Sequence, residues 1–313
     1  MIVKKFRELV FCLYVLLFCL PGYTQDKTIA FTIDDVPNTI LFESEDYSAT
    51  LLQKIDSANI PAAIFINEGL IFSNDNYAKN IDLLVDWLEH EQIESGNHSF
   101  SHLNYTNTSF SDFTEDILKG EVITRKILEK RNKYPKYFRF PYNSLGKDSI
   151  SQRQIADFLN ERNYYVTPFT IGSSDYIYNA LYKSALADDN LNRADSIAQL
   201  YLELTEKLLD FYESYFQETI QRNVSHIYLC HDNKLNADYF DELLGLFRNK
   251  GYSIVSLDKA LEDPIYSRQN YYYEKHGVSW VYRWIKDKNQ RMQLMRKEPW
   301  VGKEVYNLYQ NKN

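Results

Sequence analysis

The sequence predicts an α/β fold of parallel strands, a barrel first and an open doubly wound sheet as its competitor. Two observations predict it. Short β-type runs alternate with stretches of helical spacing along most of the chain, and reactive polar residues fall just after those runs. Alternation at this spacing argues for parallel strands joined by right-handed crossovers, and seven such runs favour closure into a barrel.

The β-type runs lie at 28–34 (TIAFTID), 62–66 (AAIFI), 137–140 (YFRF), 164–170 (YYVTPFT), 225–231 (SHIYLCH) and 252–256 (YSIVS), with a shorter one at 92–96. Between them, 47–58, 78–90, 111–132, 148–162 and 236–250 carry helical spacing. Asp148 suits a helix N-cap before Ile150, and Gly251 stands where a helix should end. Residues 176–222 are longer than one crossover needs. Leu200, Leu204, Leu208, Phe211 and Tyr215 form an apolar stripe there, expected to be an enlarged packing helix rather than a lid. The tail from Pro264 is rich in tyrosine and carries Trp280, Trp284 and Trp300; it either docks on the barrel or extends a substrate groove.

The first 24 residues have the layout of a secretory signal peptide. Lys4, Lys5 and Arg7 precede an apolar run of twelve, Leu9 to Leu20, and Gly22-Tyr23-Thr24 offers small residues for a cut before Gln25. The run is short for a bilayer span. A retained N-terminal anchor is the alternative, and bulky Phe18 before Cys19 argues against a lipoprotein site. An exported protein is therefore expected, periplasmic or extracellular, without a transmembrane helix once the segment is removed. The remaining 289 residues suit one large domain, here taken as 25–263 plus an added C-terminal segment at 264–313. Cleavage moves the net charge from −8 to −10, which argues against nucleic-acid binding. Only Cys230 then remains, so no intramolecular disulfide can form. Stability has to come from a core, and the full sequence holds 26 Tyr and 18 Phe, most of them outside the leader, to feed it. Oligomeric state is not legible.

The positions of the polar residues carry the functional reading. Asp34 and Asp35 end the first run; His98 and His102 follow the third, in GNHSFSH. RFPY (Arg139 to Tyr142) closes the fourth, Asp175 in GSSDY follows the fifth, and His231 ends the sixth in YLCHD. In a parallel sheet all of these groups meet at one rim, where α/β enzymes build their sites. The His-x-x-x-His spacing would place two imidazoles on one helix face, a metal-like arrangement, though two surface histidines near a helix start would look the same. With a carboxylate at the same rim they match the two-His, one-carboxylate pattern of open metal sites.

TIDD, HSFSH, RFPY, SSDY and LCH (229–231), in this order, resemble the five motifs of the polysaccharide deacetylase family, carbohydrate esterase family 4, across about Thr28 to Leu257. The resemblance implies a distorted (β/α)7–8 barrel of parallel strands, with the helical insertion and added C-terminal segment above. It implies a hydrolase that uses a divalent metal to remove acetyl groups from a glycan, N-acetyl ahead of O-acetyl. Zinc is the first expectation for the metal, with Co, Ni or Mn as alternatives. Residue by residue, Asp35, His98 and His102 would hold the metal. Asp34 would be the general base, Arg139 its orienting partner, His231 the general acid and Asp175 its tuning carboxylate. Tyr142 would lend a backbone N–H to the oxyanion, Leu229 would line the acetyl pocket, and Tyr176 would face substrate. Two departures affect the groove. Tyr176 stands where the family often has Trp, and Asn143 where it often has Gly.

Two other readings compete. One is a non-catalytic carbohydrate-binding protein on a deacetylase fold, against which every reactive position is filled. The other is a glycoside hydrolase using Asp34 and a second carboxylate, which leaves His98, His102 and His231 without roles.

Overall fold

A computed structural model describes residues 26–312; the expected signal peptide at 1–24 lies outside the described residues. Eight strands form one sheet: β1 (Thr28–Val36), β2 (Ala62–Ile66), β3 (Ile93–Asn97), β4 (Tyr137–Phe138), β5 (Tyr165–Val166), β6 (Ile171–Gly172), β7 (His226–His231) and β8 (Ser253–Val255). Their order is β5-β4-β3-β2-β1-β7-β6, and every pairing is parallel. β8 pairs only with Thr28 to Ala30, below the point where β2 takes over the same edge of β1. The sheet curls into a distorted, incompletely closed barrel, as expected from the alternation.

The period-two pattern of the strands sorts their side chains into two cores. Ile29, Phe31 and Ile33 of β1, with Tyr228 and Cys230 of β7, face the surrounding helices in the larger cluster. Ala30, Ala63, Phe65, Tyr137, Ile227 and Leu229 fill the barrel interior. Gly96 belongs to this inner face, where a Cβ would come within 2.7 Å of the Phe65 ring. Parity then dictates the site. Asp34 continues the register of Ala30 and Thr32, Arg139 that of Tyr137, and His231 that of Leu229, so all three project from the top of the barrel interior.

Several sequence expectations change on contact with the fold. The run 164–170 is not one strand: it holds the two-residue β5 and a break at Thr167 to Thr170, and β6 begins just beyond it at Ile171. Pro168 lacks the N–H a continuous ladder needs, and the chain here passes from one sheet edge to the other. Asp175 accordingly follows the sixth strand and His231 ends the seventh. The helical stretch 111–132 divides into Phe110–Lys119 and Val122–Glu129 at Gly120, whose absent side chain lets the backbone lie against Ser99 and Phe100. Residues 236–250 divide into Lys234–Asp238 and Phe240–Asn249.

The long segment folds as Asp175–Ala187 and a thirty-residue helix, Leu191–Ile220. Its buried face includes Ile197, Tyr201, Leu204, Leu208, Tyr212 and Phe216, whereas Leu200 is 42% exposed. The true stripe is thus rotated from the one read in the sequence. It packs on the barrel, with Tyr201 donating to Asn236 Oδ1 at 2.8 Å and lying 3.0 Å from the Tyr228 hydroxyl. The tail covers the seam between β5 and β6: Trp280 N donates to Phe169 O at 3.0 Å and Ser279 Oγ to Thr170 O at 2.7 Å. Among the described residues no helix is long and apolar enough to cross a membrane.

Candidate active site

Adjacent strand residues normally point to opposite faces, yet Asp34 and Asp35 both line one cleft. The reason is local. Asp35 adopts φ 59°, and the β1–β2 register shifts between Ile33 and Val36. The left-handed turn swings the second carboxylate back to the side of the first.

His98 and His102 are not on a helix, contrary to the reading of their spacing; they lie in the loop after β3. Ser99 (φ 66°) and His102 (φ 54°) curl that loop. Buried Asp116 accepts the backbone N–H of Phe100 at 3.2 Å and of Ser101 at 3.0 Å, and Asn97 Oδ1 accepts that of Ser99 at 2.6 Å. His98 donates from Nδ1 to Arg139 O at 2.8 Å, which leaves Nε2 as a lone pair facing the cleft. Burial, then the neighbouring His102, lowers its pKa to about 3, so the ring is neutral.

Ligand atoms of Asp35, His98 and His102 all lie within 4.8 Å of one another. Asp35 Oδ1 sits 3.8 Å from His98 Nε2 and 3.6 Å from His102 Nε2. That oxygen is buried with no hydrogen-bond partner. An orphaned carboxylate oxygen facing two imidazoles is a donor set suited to a divalent transition metal.

Asp34 is 2% exposed. Burial raises its pKa, opposed by the charge of Arg139. Arg139 Nη1 donates to Asp34 Oδ1 at 3.2 Å and to Thr32 Oγ1 at 2.9 Å, and Nη2 to Pro168 O at 3.2 Å. The guanidinium lies over the Phe65 ring, 4.3 Å from its centre. The barrel interior therefore supplies a fixed cation beneath Asp34.

The turn after β4 carries Tyr142 and Asn143 at φ 56° and 52°. Asparagine tolerates this conformation better than most residues, which accounts for its standing where the family often has glycine. The half-exposed Tyr142 ring lies 4.6 Å from that of His102. The tail holds the turn from outside: Arg283 Nη2 donates to Asn143 O at 3.3 Å, and a Cβ on Gly277 would fall 2.0 Å from Tyr142 O.

Across the cleft, His231 donates from Nδ1 to Asp175 Oδ1 at 2.7 Å, and its backbone N–H to Oδ2 at 2.8 Å. The fully buried Asp175 also accepts from Asn233 Nδ2 at 2.8 Å and Asn236 Nδ2 at 2.6 Å. Burial alone would lower the imidazole pKa, but the Asp175 charge and hydrogen bond raise it to about 10. In return His231, working against burial, holds Asp175 below the usual carboxylate range.

The cleft has a volume of about 900 Å³ and contains Asp34, Asp35, His98, His102, Tyr142, Tyr176, Leu229 and His231 on its walls. Arg139 and Asp175 lie just behind it. Every residue singled out in the sequence thus converges here. Residues the sequence reading missed are the supports: Asp116, Asn233 and Asn236, and Asp232. Burial raises the Asp232 pKa to about 7, while its carboxylate accepts the Asn38 N–H at 2.9 Å. The run HDNKLN, with two amides after the His-Asp pair, was the available signal.

Residues 22–160 match the family model described as Polysaccharide deacetylase. The Peptidoglycan-N-acetylglucosamine deacetylase of Bacillus cereus is 24% identical over 159 residues, 51% of this chain and 50% of its own. The chain spans about half the length of that curated relative. Two solved structures share the fold at TM-score 0.50. One is the Bc1960 peptidoglycan N-acetylglucosamine deacetylase in complex with an N-oxidanyl-benzamide, 16% identical, covering 76% of this chain and 90% of that one. The other is the chitin deacetylase of the fungal pathogen Colletotrichum lindemuthianum, 21% identical, covering 82% and 94%. Over residues 22–160 the chain is thus similar to the polysaccharide deacetylase family, and its fold is shared with deacetylases of known structure.

Proposed function

We propose that this protein is a metal-dependent hydrolase that removes acetyl groups, N-acetyl ahead of O-acetyl, from an oligo- or polysaccharide outside the cytoplasm. One observation carries the reading. The Asp35, His98 and His102 donors meet within 4.8 Å at the cleft into which Asp34 and His231 also project.

A divalent cation held by Asp35, His98 and His102, zinc or alternatively Co, Ni or Mn, supplies when bound an acidified water and polarisation of the acetyl carbonyl. Asp34, fixed by Arg139, accepts the proton of the attacking water. The Tyr142 backbone N–H faces the oxygen on which charge develops, a contribution of about 3 kcal/mol for a well-aimed donor. Leu229 receives the acetyl methyl, and Tyr176 borders the sugar. His231 donates its proton from Nε2 to the departing nitrogen or oxygen, while Asp175 keeps Nδ1–H engaged and the ring cationic. Acid and base catalysis of this kind each contribute roughly 10²–10⁴-fold.

The name of the Bacillus cereus relative makes peptidoglycan the first glycan to test, with acetylated chitooligosaccharides and acetylxylan beside it. The experiment pairs metal stoichiometry with acetate release. Activity lost on chelation and restored by added metal supports the reading; acetate release at an undiminished rate from metal-free protein refutes it.

A further inference from the structure

Aromatic rings run outward from His231 in an unbroken series. Tyr176 lies 6.3 Å from the imidazole, Tyr309 6.0 Å from Tyr176, Tyr306 6.5 Å from Tyr309, and Trp300 6.3 Å from Tyr306. Tyr176 lines the cleft; the other three belong to the tail. The series leaves apolar area in water: Tyr176 is 51% exposed, Tyr306 40% and Trp300 60%. Four contiguous rings, three of them well exposed, are more than the scattered apolar exposure of an ordinary surface.

The carriers of these rings are pinned, although the rings of Tyr176, Tyr306 and Trp300 are about half exposed. Val301, next to Trp300, is buried in the main core, and Glu298 accepts a hydrogen bond from the Tyr212 hydroxyl. The helix Lys303–Gln310 buries no residue completely; Val305 and Tyr309, four apart, pack it against the barrel's outer core while Tyr306 faces outward. Core packing explains Val301, Val305 and part of Tyr309. It does not explain Trp300 or Tyr306. Rings held in place before a ligand arrives lose little freedom on binding, which suits recognition.

We propose that Tyr176, Tyr309, Tyr306 and Trp300 form a binding track by which the C-terminal tail holds successive sugar units of an acetylated glycan chain beyond the cleft. A pyranose ring has an apolar C–H face and a polar perimeter. Aromatic rings in series, here turned by 42° to 79° from one to the next, complement the first and leave the hydroxyls to water. Continuity with the cleft selects this occupant, because the track begins at the wall of the candidate active site beside His231. The proposal rests on the deacetylase reading for the acetylated sugar at its inner end.

The test uses the full, metal-loaded chain and calorimetric titration with N-acetylglucosamine dimer and hexamer, peptidoglycan strand fragments and acetylated xylohexaose. The wild type should bind one of the long chains more tightly than its dimer. The Trp300→Ala/Tyr306→Ala protein should lose roughly two- to tenfold in long-chain affinity per ring removed. Trp300→Phe/Tyr306→Phe, which keeps two rings, should recover most of it, with thermal unfolding confirming that both variants fold. Equal long-chain affinity in wild type and the alanine variant, or no chain-length preference in the wild type, overturns the track. Acetate release reads the proposed function separately. Chain-length-dependent binding without acetate keeps the track and removes the hydrolytic reading. Acetate release whose chain-length dependence survives the alanine variant removes the track and keeps the hydrolytic reading.

Discussion

Asp34 and His231 are register partners across the β1–β7 ladder. The proposed base and acid therefore stand on neighbouring hydrogen-bonded strands, at a separation set by the sheet rather than by loops. Each leans on its own buried counter-charge, Asp34 on Arg139 and His231 on Asp175. Asp175 keeps the His231 ring cationic, and the Arg139 charge opposes the upward push that burial gives the Asp34 carboxyl.

Replacing the base isolates its role. Asp34→Asn keeps the shape and leaves Asp35, His98 and His102 in place, so metal content should stay stoichiometric while turnover falls by roughly 10²–10⁴-fold. Elemental analysis and acetate release on the same preparation check it; loss of metal in parallel with activity would assign Asp34 to the metal site instead.

Asp175→Asn should move the alkaline limb of the kcat/KM profile. The wild-type imidazole keeps its proton to about pH 10. Without the carboxylate it should titrate nearer the ordinary histidine value of about 6.5. Stability follows the same sign. Because folding raises this pKa, the wild type holds its full contribution below about pH 6.5 and loses it as pH rises through about 10. A pH–rate profile and melting temperatures between pH 6 and 10 measure both, and an unmoved alkaline limb in the variant would contradict the pairing.

The loop that carries both histidines hangs on Asp116. Asp116→Ala strips the acceptor from the Phe100 and Ser101 N–H groups. It should destabilise the protein by about 1–3 kcal/mol and weaken metal binding by roughly 10–100-fold through misplaced ligands. Denaturant titration and competition with a chelator give the two numbers. Destabilisation without any change in metal affinity would confine Asp116 to a structural part.

Gly277 and Arg283 predict that the tail tunes turnover. A Cβ at 277 must displace the Tyr142 carbonyl, and Arg283→Gln removes a cation that donates to Asn143 O and Tyr272 O. Displacing the turn by about 1 Å should lower kcat by as much as roughly 10²-fold, with KM moving less and Arg283→Lys recovering part of the loss. Steady-state kinetics decide it; a change confined to KM would mean the tail acts on binding alone.

Much of this site was legible from order alone. Alternation implied parallel strands, and parallel strands implied that Asp34, His98, Arg139, Asp175 and His231 would share one rim, because residues ending parallel strands end on the same side. Local spacing misled where a loop replaced a helix, as at His98 and His102, and where Pro168 and Gly120 broke runs that looked continuous.

By itself, then, the chain's pattern determined the α/β class and the chemistry-bearing residues, since period-two burial and motif order are properties of neighbours in sequence. Tertiary structure alone decided that Asp35 turns beside Asp34 and that Asn233 and Asn236 brace Asp175. It also decided that a tail beginning more than thirty residues after His231 closes the barrel seam and reaches the cleft. Those outcomes depend on left-handed turns and on contacts between distant segments, which residue periodicity does not encode.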